Sequence, residues 1–438
     1  MSKSSEHKVL ILSSYESTGG AARAANRLHK SLINNGTDSK MWVRTRNSDD
    51  WRVEGPAGPV GRIKADIRSV LEALPVKLQK TENPILHSPG WINNFKAKQI
   101  NASDADVVNL HWVCDGLISI AQIGKITKPV IWTMHDSWTF CGMEHHPKDS
   151  SDLRYIEGYT KDNRPAHSRG LDLDRWTWNR KLRSFRSSMH LVSPSTWLAN
   201  IAAKSKIAGD WPTRVIPNPL DTDIFKPIEK SVARGILQLP TDKKIILVGA
   251  FGSVMNPNKG FDLLTDALRS FASELQNNEI KTGAFSNTLN TDDFLVVVFG
   301  QSEPKDLNDF PLPIRFMGHF SDDFALSLVY NASDVVVVPS RMENLPQTAT
   351  EAQACGVPVV AFNICGIPDA VVHKHTGYLA EAYDTREMKN GLNWIFEDSD
   401  RYDQLCRFAR ERALQLWSPD VVAKQYDDWY QHAIDSQR

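Results

Sequence analysis

Two acidic residues, Glu343 and Glu351, stand with seven positions between them in a stretch that opens on four consecutive valines, Val335 to Val338. The valines read as a buried strand that ends at Pro339, after which a loop carries Glu343. A helix is expected to begin at Pro346, because proline suits a first helical position. Glu343 then lies just before an electropositive helix end, and Glu351 inside the helix more than one turn on. Carboxylates placed in this way can grip two parts of one elongated polyol, while the amides of the loop and first turn are left for phosphate. The same two acids also suit plainer duties, Glu343 as a helix cap and Glu351 as a solvated side chain.

A second candidate is Thr18-Gly-Gly-Ala-Ala-Arg23, which follows the first strand and opens an alanine-rich helix through Leu32. Gly19 and Gly20 would let the backbone approach a ligand, and a helix N-terminus favours anions. The spacing is not G-x-G-x-x-G, so a dinucleotide fingerprint is absent, and a plain strand-to-helix turn explains the pair as well. His111-Trp112 and Asp136-Ser-Trp138 add aromatic rings at strand ends, where an amphipathic ring face suits the C–H-rich face of a sugar. With 13 tryptophans in the chain, some must be core.

The elements that hold these residues read as short apolar runs alternating with amphipathic stretches, the pattern of a parallel sheet with crossover helices. In the first half the strands are expected at Val9–Leu12, Met41–Val43, Val107–Leu110, Val130–Met134, His190–Val192 and Val215–Ile216. The second half repeats the pattern at Ile245–Val248, Phe294–Phe299, Ile314–Phe316, Val335–Val338 and Val359–Phe362. Between the halves, Ile216 to Pro227 contains three prolines and no periodicity, which marks a linker. The expected fold class is α/β, with two Rossmann-like doubly wound parallel-sheet domains over residues 1–220 and 221–416 and a cleft between their carboxyl ends as the ligand site. A C-terminal helix over 417–438 can cross back to the first domain. Residues 143–185 are polar and weakly periodic and read as a long loop or insertion, as does the shorter stretch 276–292. Helices are expected at Glu387–Phe396 and Tyr402–Leu416.

Composition narrows the function classes. The chain has 438 residues, 41% hydrophobic and 24% charged, which excludes wholesale disorder. No run approaches the ~20 apolar residues of a membrane span. The start, polar from Met1 to Lys8 and then apolar to Leu12, reads as a strand and not as a signal peptide. Five cysteines without close pairing suit a reducing cytoplasm. The net charge of −1 hides an asymmetry: residues 1–220 hold 31 Lys+Arg against 21 Asp+Glu, and residues 221–438 hold 20 against 31. An anionic partner for the first half is one reading, and interdomain attraction is another. Within that half, Val60, Ile63, Ile67, Val70, Leu71 and Leu74 fall on one helical face with Arg62, Lys64 and Arg68 nearby. Such a helix can lie on an anionic membrane or pack on its own domain.

The Glu343–Glu351 run resembles the E-x7-E signature of family 4 glycosyltransferases, retaining enzymes of the GT-B fold. Other segments agree in order along most of the chain: Val192-Ser-Pro-Ser-Thr-Trp-Leu-Ala199; Val215 to Pro227, with Pro219 where glycine is usual; Val248-Gly-Ala-Phe251 ahead of Asn258-Lys-Gly-Phe-Asp262; Phe316-Met-Gly-His-Phe320; and Cys365-Gly-Ile-Pro-Asp-Ala-Val371 with Thr376-Gly-Tyr-Leu379. The relatives it looks like are exopolysaccharide, O-antigen and colanic-acid-type biosynthetic enzymes. The resemblance implies that Glu351 accepts from the nucleotide ribose and that Glu343 contacts the donor sugar. Asn344 and Leu345 would offer amides near sugar and diphosphate, and Lys259 would neutralise the diphosphate leaving group. It also implies that Gly19 and Gly20 reach the diphosphate and that His135, in Thr133-Met-His-Asp136, faces the sugar; a structural strand-end histidine is the alternative.

Two departures qualify the match. The arginine that the family places before the lysine is missing, since Gly249 to Asn258 has no basic residue, so Lys259 must share the charge with amides or with Arg341. Relatives with the His-Trp and His-Asp-Ser-Trp segments often carry a cysteine cluster, of which Cys141 alone remains, so no local four-ligand zinc site is expected. The implied function is sugar transfer from a UDP-, GDP- or similar nucleotide sugar to a glycan or lipid-diphosphate-linked acceptor in bacterial surface polysaccharide biosynthesis. No cofactor, metal or nucleic acid is expected, and the location is cytoplasmic with peripheral docking on the inner membrane face. The alternatives are a catalytically silent sugar-nucleotide-binding partner and a nucleotide-sugar epimerase or phosphorylase on the same fold.

Overall fold

A computed structural model of the chain describes residues 7–249, 256–277, 289–304 and 309–437. The chain divides into two compact units, residues 1–219 with 419–438, and residues 220–418.

The first unit contributes β1 (Lys8–Tyr15), β2 (Asp38–Thr45), β3 (Val53–Glu54), β4 (Gln79–Lys80), β5 (Val107–Leu110), β6 (Val130–Thr133), β7 (Arg169–Gly170), β8 (His190–Ser193) and β9 (Thr213–Val215). Strands β4 and β7 form a short antiparallel ribbon. Among the described residues the other seven make a parallel sheet in the order β3-β2-β1-β5-β6-β8-β9. Ile11, Leu12, Val107, Leu110 and Ile131 are wholly buried. Helices cover both faces of such a sheet, which is why its strands read as continuous apolar runs and not as alternating ones. The chain goes from β1 to β2 on one side and returns to β5 on the other. The sheet therefore has a topological switch point at the carboxyl ends of β1 and β5, where ligand sites collect in this architecture.

The second unit holds β10 (Lys244–Gly249), β11 (Phe294–Phe299), β12 (Ile314–Phe316), β13 (Val335–Val338), β14 (Val359–Phe362) and β15 (Gly377–Ala380). Among the described residues they form a parallel sheet in the order β12-β11-β10-β13-β14-β15, with its switch point between β10 and β13. The helices Thr385–Phe396 and Ser399–Trp417 start where Asp384 and Asp398 accept backbone amides of their first turns.

The helix Pro419–Asp435 belongs to the first unit. Val422, Ala423, Tyr426, Tyr430 and Ala433 are buried against Val9, Ile11 and Leu28. The Tyr430 hydroxyl accepts from Asn109 Nδ2 at 2.8 Å, and the Tyr426 hydroxyl meets Thr133 Oγ1 at 3.1 Å. Asp427 accepts from Thr37 and Asn35, both at 3.0 Å.

Two expectations change, and one open reading gains an observation. Residues 143–185, read as a long loop or insertion without regular elements of its own, contain the helices Arg154–Glu157 and Leu173–Ser184 and the strand β7. The longer helix escapes an apolar-periodicity search because its buried side includes Asp174, Thr177 and Lys181 beside Leu173 and Trp178. Pro346 is the N-cap, in extended conformation, of a helix that runs Gln347–Ala354. The helix Gly58–Ala73 buries Ala65 and Glu72, while Val60, Ile63, Ile67 and Val70 are each more than half exposed. Of the expected insertion at 276–292, residues 278–288 lie outside the described residues.

Tyr430→Phe should lower the unfolding free energy of the first unit by about 1 kcal/mol, the worth of one buried hydrogen bond. Tyr430→Ala, which also opens a cavity, should cost about 3–5 kcal/mol. Calorimetry checks both, and the transition of the second unit should not move.

Candidate functional site

In the second unit, the loop after β13 carries Glu343, and the turn Pro257–Lys259 comes down on it from β10. Gly260 closes that turn with φ +64°, and a Cβ there would lie 1.9 Å from the Pro339 carbonyl oxygen. Only glycine allows the approach. Lys259 Nζ consequently meets Glu343 Oε1 at 2.8 Å, and Ser340 Oγ donates to the same oxygen at 2.9 Å. The Glu343 carboxylate raises the Lys259 pKa above its ordinary value, against the opposing effect of burial. The Gly366 amide donates to the Glu343 carbonyl at 2.9 Å, which ties the loop to the segment after β14.

Arg341, a candidate to share phosphate charge, is committed locally. Its guanidinium donates to both Asp262 oxygens, at 2.8 and 2.6 Å, and to the Pro257 carbonyl at 2.6 Å. Its amide donates to the Asn258 carbonyl at 2.8 Å. It therefore clamps the lysine turn to the glutamate loop. Of the stretch Gly249 to Asn258, residues 250–255 lie outside the described residues.

Glu351 sits on the helix Gln347–Ala354 and is 2% exposed, so it is not a solvated side chain. Its Oε2 accepts from the Tyr330 hydroxyl at 2.8 Å, a partner that a buried carboxylate requires. Leu345 packs in the core, and Asn344 is half-buried beside it. The structure thus brings Lys259 and Glu343 into contact and anchors Glu351 further along the same loop-helix segment.

In the first unit, Gly19 has φ +88° and caps the helix Gly20–Asn34, with no atom within 4 Å of where a Cβ would stand. His135 follows β6, and its Nε2 lies 2.9 Å from Nδ1 of His111, which follows the neighbouring β5. Burial pushes the His135 pKa down to about 4. The adjacent Asp136 serves other groups: it accepts from the Trp138 amide at 2.9 Å and lies 2.6 Å from His145 Nδ1. Burial would raise the Asp136 pKa, but His145 and His146 pull it down to about 2. His145 Nε2 meets Ser88 Oγ at 2.8 Å. Trp138 is core, its indole N–H bonded to the Ser88 carbonyl, and offers no platform; Trp112 is half-buried between Tyr15 and His145.

Sequence reasoning missed the buried Lys181. Its ammonium donates to the carbonyls of Trp138, Cys141 (3.0 Å) and Gly142 (2.7 Å) and lies over the Trp138 ring, holding the 138–142 loop closed. No local pattern marks it, since the partners lie some forty positions away. Among the described residues no group of three or more His, Cys, Asp or Glu is placed to hold a metal ion.

Two doubly wound parallel-sheet α/β units are the architecture of the GT-B glycosyltransferase fold. The chain is similar over 98% of its length to sucrose-phosphate synthase from Thermosynechococcus elongatus (TM-score 0.63, 18% identity, 100% of that chain). It is similar over the same share to Anabaena HepE in complex with UDP-glucose (TM-score 0.61, 16% identity, 100% of that chain). Residues 18–224 match the profile of Glycosyltransferase Family 4, and residues 230–412 that of Glycosyl transferases group 1. The chain belongs to this family of glycosyltransferases. A D-inositol 3-phosphate glycosyltransferase from Stackebrandtia nassauensis is 32% identical over 233 residues, 51% of this chain and 50% of the relative. The chain spans about half the length of the curated relatives it matches.

The first unit should weaken in acid in two stages. His29 and His135 are held neutral by burial down to about pH 4, against an ordinary 6.5. The unfolded chain therefore takes up protons that the fold refuses as pH falls from 6.5 to 4, and stability drops with it. Asp136, depressed to about 2, contributes stability above its unfolded pKa that is lost as pH falls from roughly 4 to 2. Urea unfolding of the first unit at pH 7, 5 and 3.5 should show a falling midpoint.

Proposed function

We propose that the chain transfers a sugar, with retention of anomeric configuration, from a nucleotide-diphosphate donor to a glycan or lipid-linked glycan acceptor in bacterial surface polysaccharide assembly. The observation that carries this is the Lys259–Glu343 contact at the β10/β13 switch point, with Glu351 anchored on the helix that follows. A cation and a carboxylate at 2.8 Å can address adjoining parts of one ligand, the diphosphate and the hydroxyls of its sugar. Lys259 stabilises the charge that develops on the departing diphosphate. Glu343 binds the sugar, Glu351 the ribose, the Asn344 and Leu345 amides the region between, and Gly19 and Gly20 the diphosphate. His135 touches the sugar. With no carboxylate assigned as covalent nucleophile, the departing phosphate oxygen takes the acceptor proton on the same face of the sugar.

HepE is described with UDP-glucose, which supports a nucleotide-sugar donor here. The loops that carry Lys259 and Glu343 contain no Asp-x-Asp pair, so no metal is assigned to the diphosphate. A second reading, a catalytically silent sugar-nucleotide-binding partner, is favoured by one feature: Arg341 is committed to Asp262 where a phosphate-binding cation would be useful.

The two acids separate the duties. Glu351→Ala should weaken UDP or GDP binding, read as a smaller thermal shift. Glu343→Ala should mainly reduce turnover. Lys259→Ala should lower turnover by about 10²-fold or more. Unchanged affinity and rate in all three would refute the assignment, and donor binding without any transfer or hydrolysis would leave the silent partner.

We assign the helix Gly58–Ala73 to peripheral docking on an anionic membrane face in the cytoplasm. Its apolar side is exposed and Arg62, Lys64 and Arg68 flank it. No helix among the described residues is long and apolar enough to cross a membrane. Each basic residue near anionic lipid is worth about 1 kcal/mol, screened over roughly 8 Å at physiological salt. The protein should co-sediment with anionic vesicles at low salt and less at high salt; no binding under any condition would favour a soluble acceptor.

A further inference from the structure

Trp91 and Trp176 meet at right angles in the first unit, with ring centroids 4.3 Å apart at 89°. The Arg180 guanidinium lies over both rings, 5.4 Å from the Trp176 centroid and 5.9 Å from that of Trp91. Trp176 and Arg180 stand one turn apart on the helix Leu173–Ser184, whose other side buries Asp174, Thr177, Trp178 and Lys181. Trp176 is 44% exposed, and Arg180 is half-buried.

The backbone that carries the two indoles is anchored. Glu72, buried near the end of the helix Gly58–Ala73, accepts from the Trp91 amide at 3.0 Å and from the Ile92 amide at 2.7 Å. Gly90 has φ +67°, and a Cβ there would stand 2.8 Å from the Trp138 ring. Lys181, beside Arg180, is bonded to the carbonyls of the 138–142 loop.

Arg180 is held by the rings alone. Its guanidinium has five N–H donors, and it makes no hydrogen bond or ion pair among the described residues. Burial and the Arg183 charge lower its pKa, against the attraction of Glu72. Glu72 spends its oxygens on amides and does not close on the guanidinium. Two guanidinium groups against one carboxylate leave a single positive charge at this place. Arginine over indoles keeps its orientation while its fork of donors stays available, and such a fork takes a carboxylate by two parallel bonds. The exposed Trp176 ring beside it suits the C–H face of a sugar. A phosphate monoester would bring nearly two negative charges, more than the place balances.

We propose that Trp176 and Arg180, braced by Trp91, form a binding site for a uronic acid residue of a glycan. The sugar ring lies on the Trp176 indole, and its carboxylate takes the Arg180 fork. That this residue belongs to the acceptor rests on the transferase reading; the binding does not. The excess of Lys and Arg over Asp and Glu in residues 1–220 favours the same negatively charged partner.

The test is a titration of the full chain, labelled with ¹⁵N at tryptophan and followed by its indole N–H signals, with Trp176→Phe to assign the one that matters. Sodium D-glucuronate should shift the Trp176 signal saturably in the millimolar range. D-glucose, which lacks the charge, should need a concentration about tenfold higher or more. Arg180→Gln should weaken glucuronate by about tenfold or more and leave glucose as it was. Arg180→Lys, which keeps the charge without the fork, should recover only part of the loss. Glucuronate that binds Arg180→Gln as well as the parent, or that never moves the Trp176 signal, overturns the site. Tighter binding of glucose 6-phosphate than of glucuronate overturns the carboxylate assignment. In an active enzyme, glucuronate should raise the acceptor KM and leave the donor KM alone; any other pattern overturns the acceptor role. If no transfer is found at all, the transferase reading fails and the site is still decided by the titration.

Discussion

A parallel sheet covered by helices on both faces has no interior room for charge, and this constraint governs where each unit can do chemistry. The strands of both units are sealed, so polar side chains gather where the strands stop. In the second unit that place is the end of β13, with Lys259, Ser340, Arg341 and Glu343; in the first it is the ends of β5 and β6, with His111, His135, Asp136 and His145. Where a carboxylate does sit inside, as Glu351 does, a tyrosine hydroxyl meets it. The two clusters have opposite characters. One is built on a lysine–glutamate ion pair, and the other is a set of buried imidazoles, of which His111 and His135 are held neutral.

Preorganisation in the second unit comes from backbone proximity more than from the ion pair. The Pro257–Lys259 turn touches the end of β13 through a glycine, and the Arg341 guanidinium holds it by one bond to the Pro257 carbonyl and two to Asp262, just past that glycine. Lys259 can thus let go of Glu343 without the turn drifting away. A lone lysine on an unsupported loop would lose side-chain and loop entropy each time a ligand bound. Arg341 therefore supports the cation as a brace, and its own charge is already balanced.

The strands were legible because burial on both faces writes them as continuous runs of valine, isoleucine and leucine, as at Val335–Val338. The strand β15 escaped as a strand, since Gly377 and Tyr378 interrupt the apolar run. The linker was visible from its prolines, and a return of the final helix to the first domain was an open reading, but the residues that receive it were not visible, because an amphipathic stretch does not name its partners. The acidic pair stood out by spacing and by family resemblance, and Lys259 by family resemblance alone. Their partners did not: Ser340 is next door but unmarked, Tyr330 is 21 positions from Glu351, and His111 is 24 from His135. Sequence offers neighbours along the chain, whereas hydrogen bonds between parallel strands join residues a whole crossover apart. The helix Gly58–Ala73 shows the converse failure. Its apolar periodicity was plain, and it is the one amphipathic face of the named stretches that the fold leaves largely uncovered.

The assignment of Pro419–Asp435 to the first unit has a consequence for how the chain is made. A ribosome delivers residues in order, and domains usually fold in that order as well. Here the first sheet emerges early but lacks the helix that covers Val9, Ile11 and Leu28 until residues 419–435 have followed the second unit. The second unit, continuous from Leu220 to Ser418, is complete in the meantime. The first unit therefore stays half-covered throughout the synthesis of the second, and its core closes with the docking of one seventeen-residue helix. Until that step, the apolar surface reserved for the helix is open to any other amphipathic segment nearby, which makes the interval before residues 419–435 emerge the time when the first unit is most exposed to misassembly.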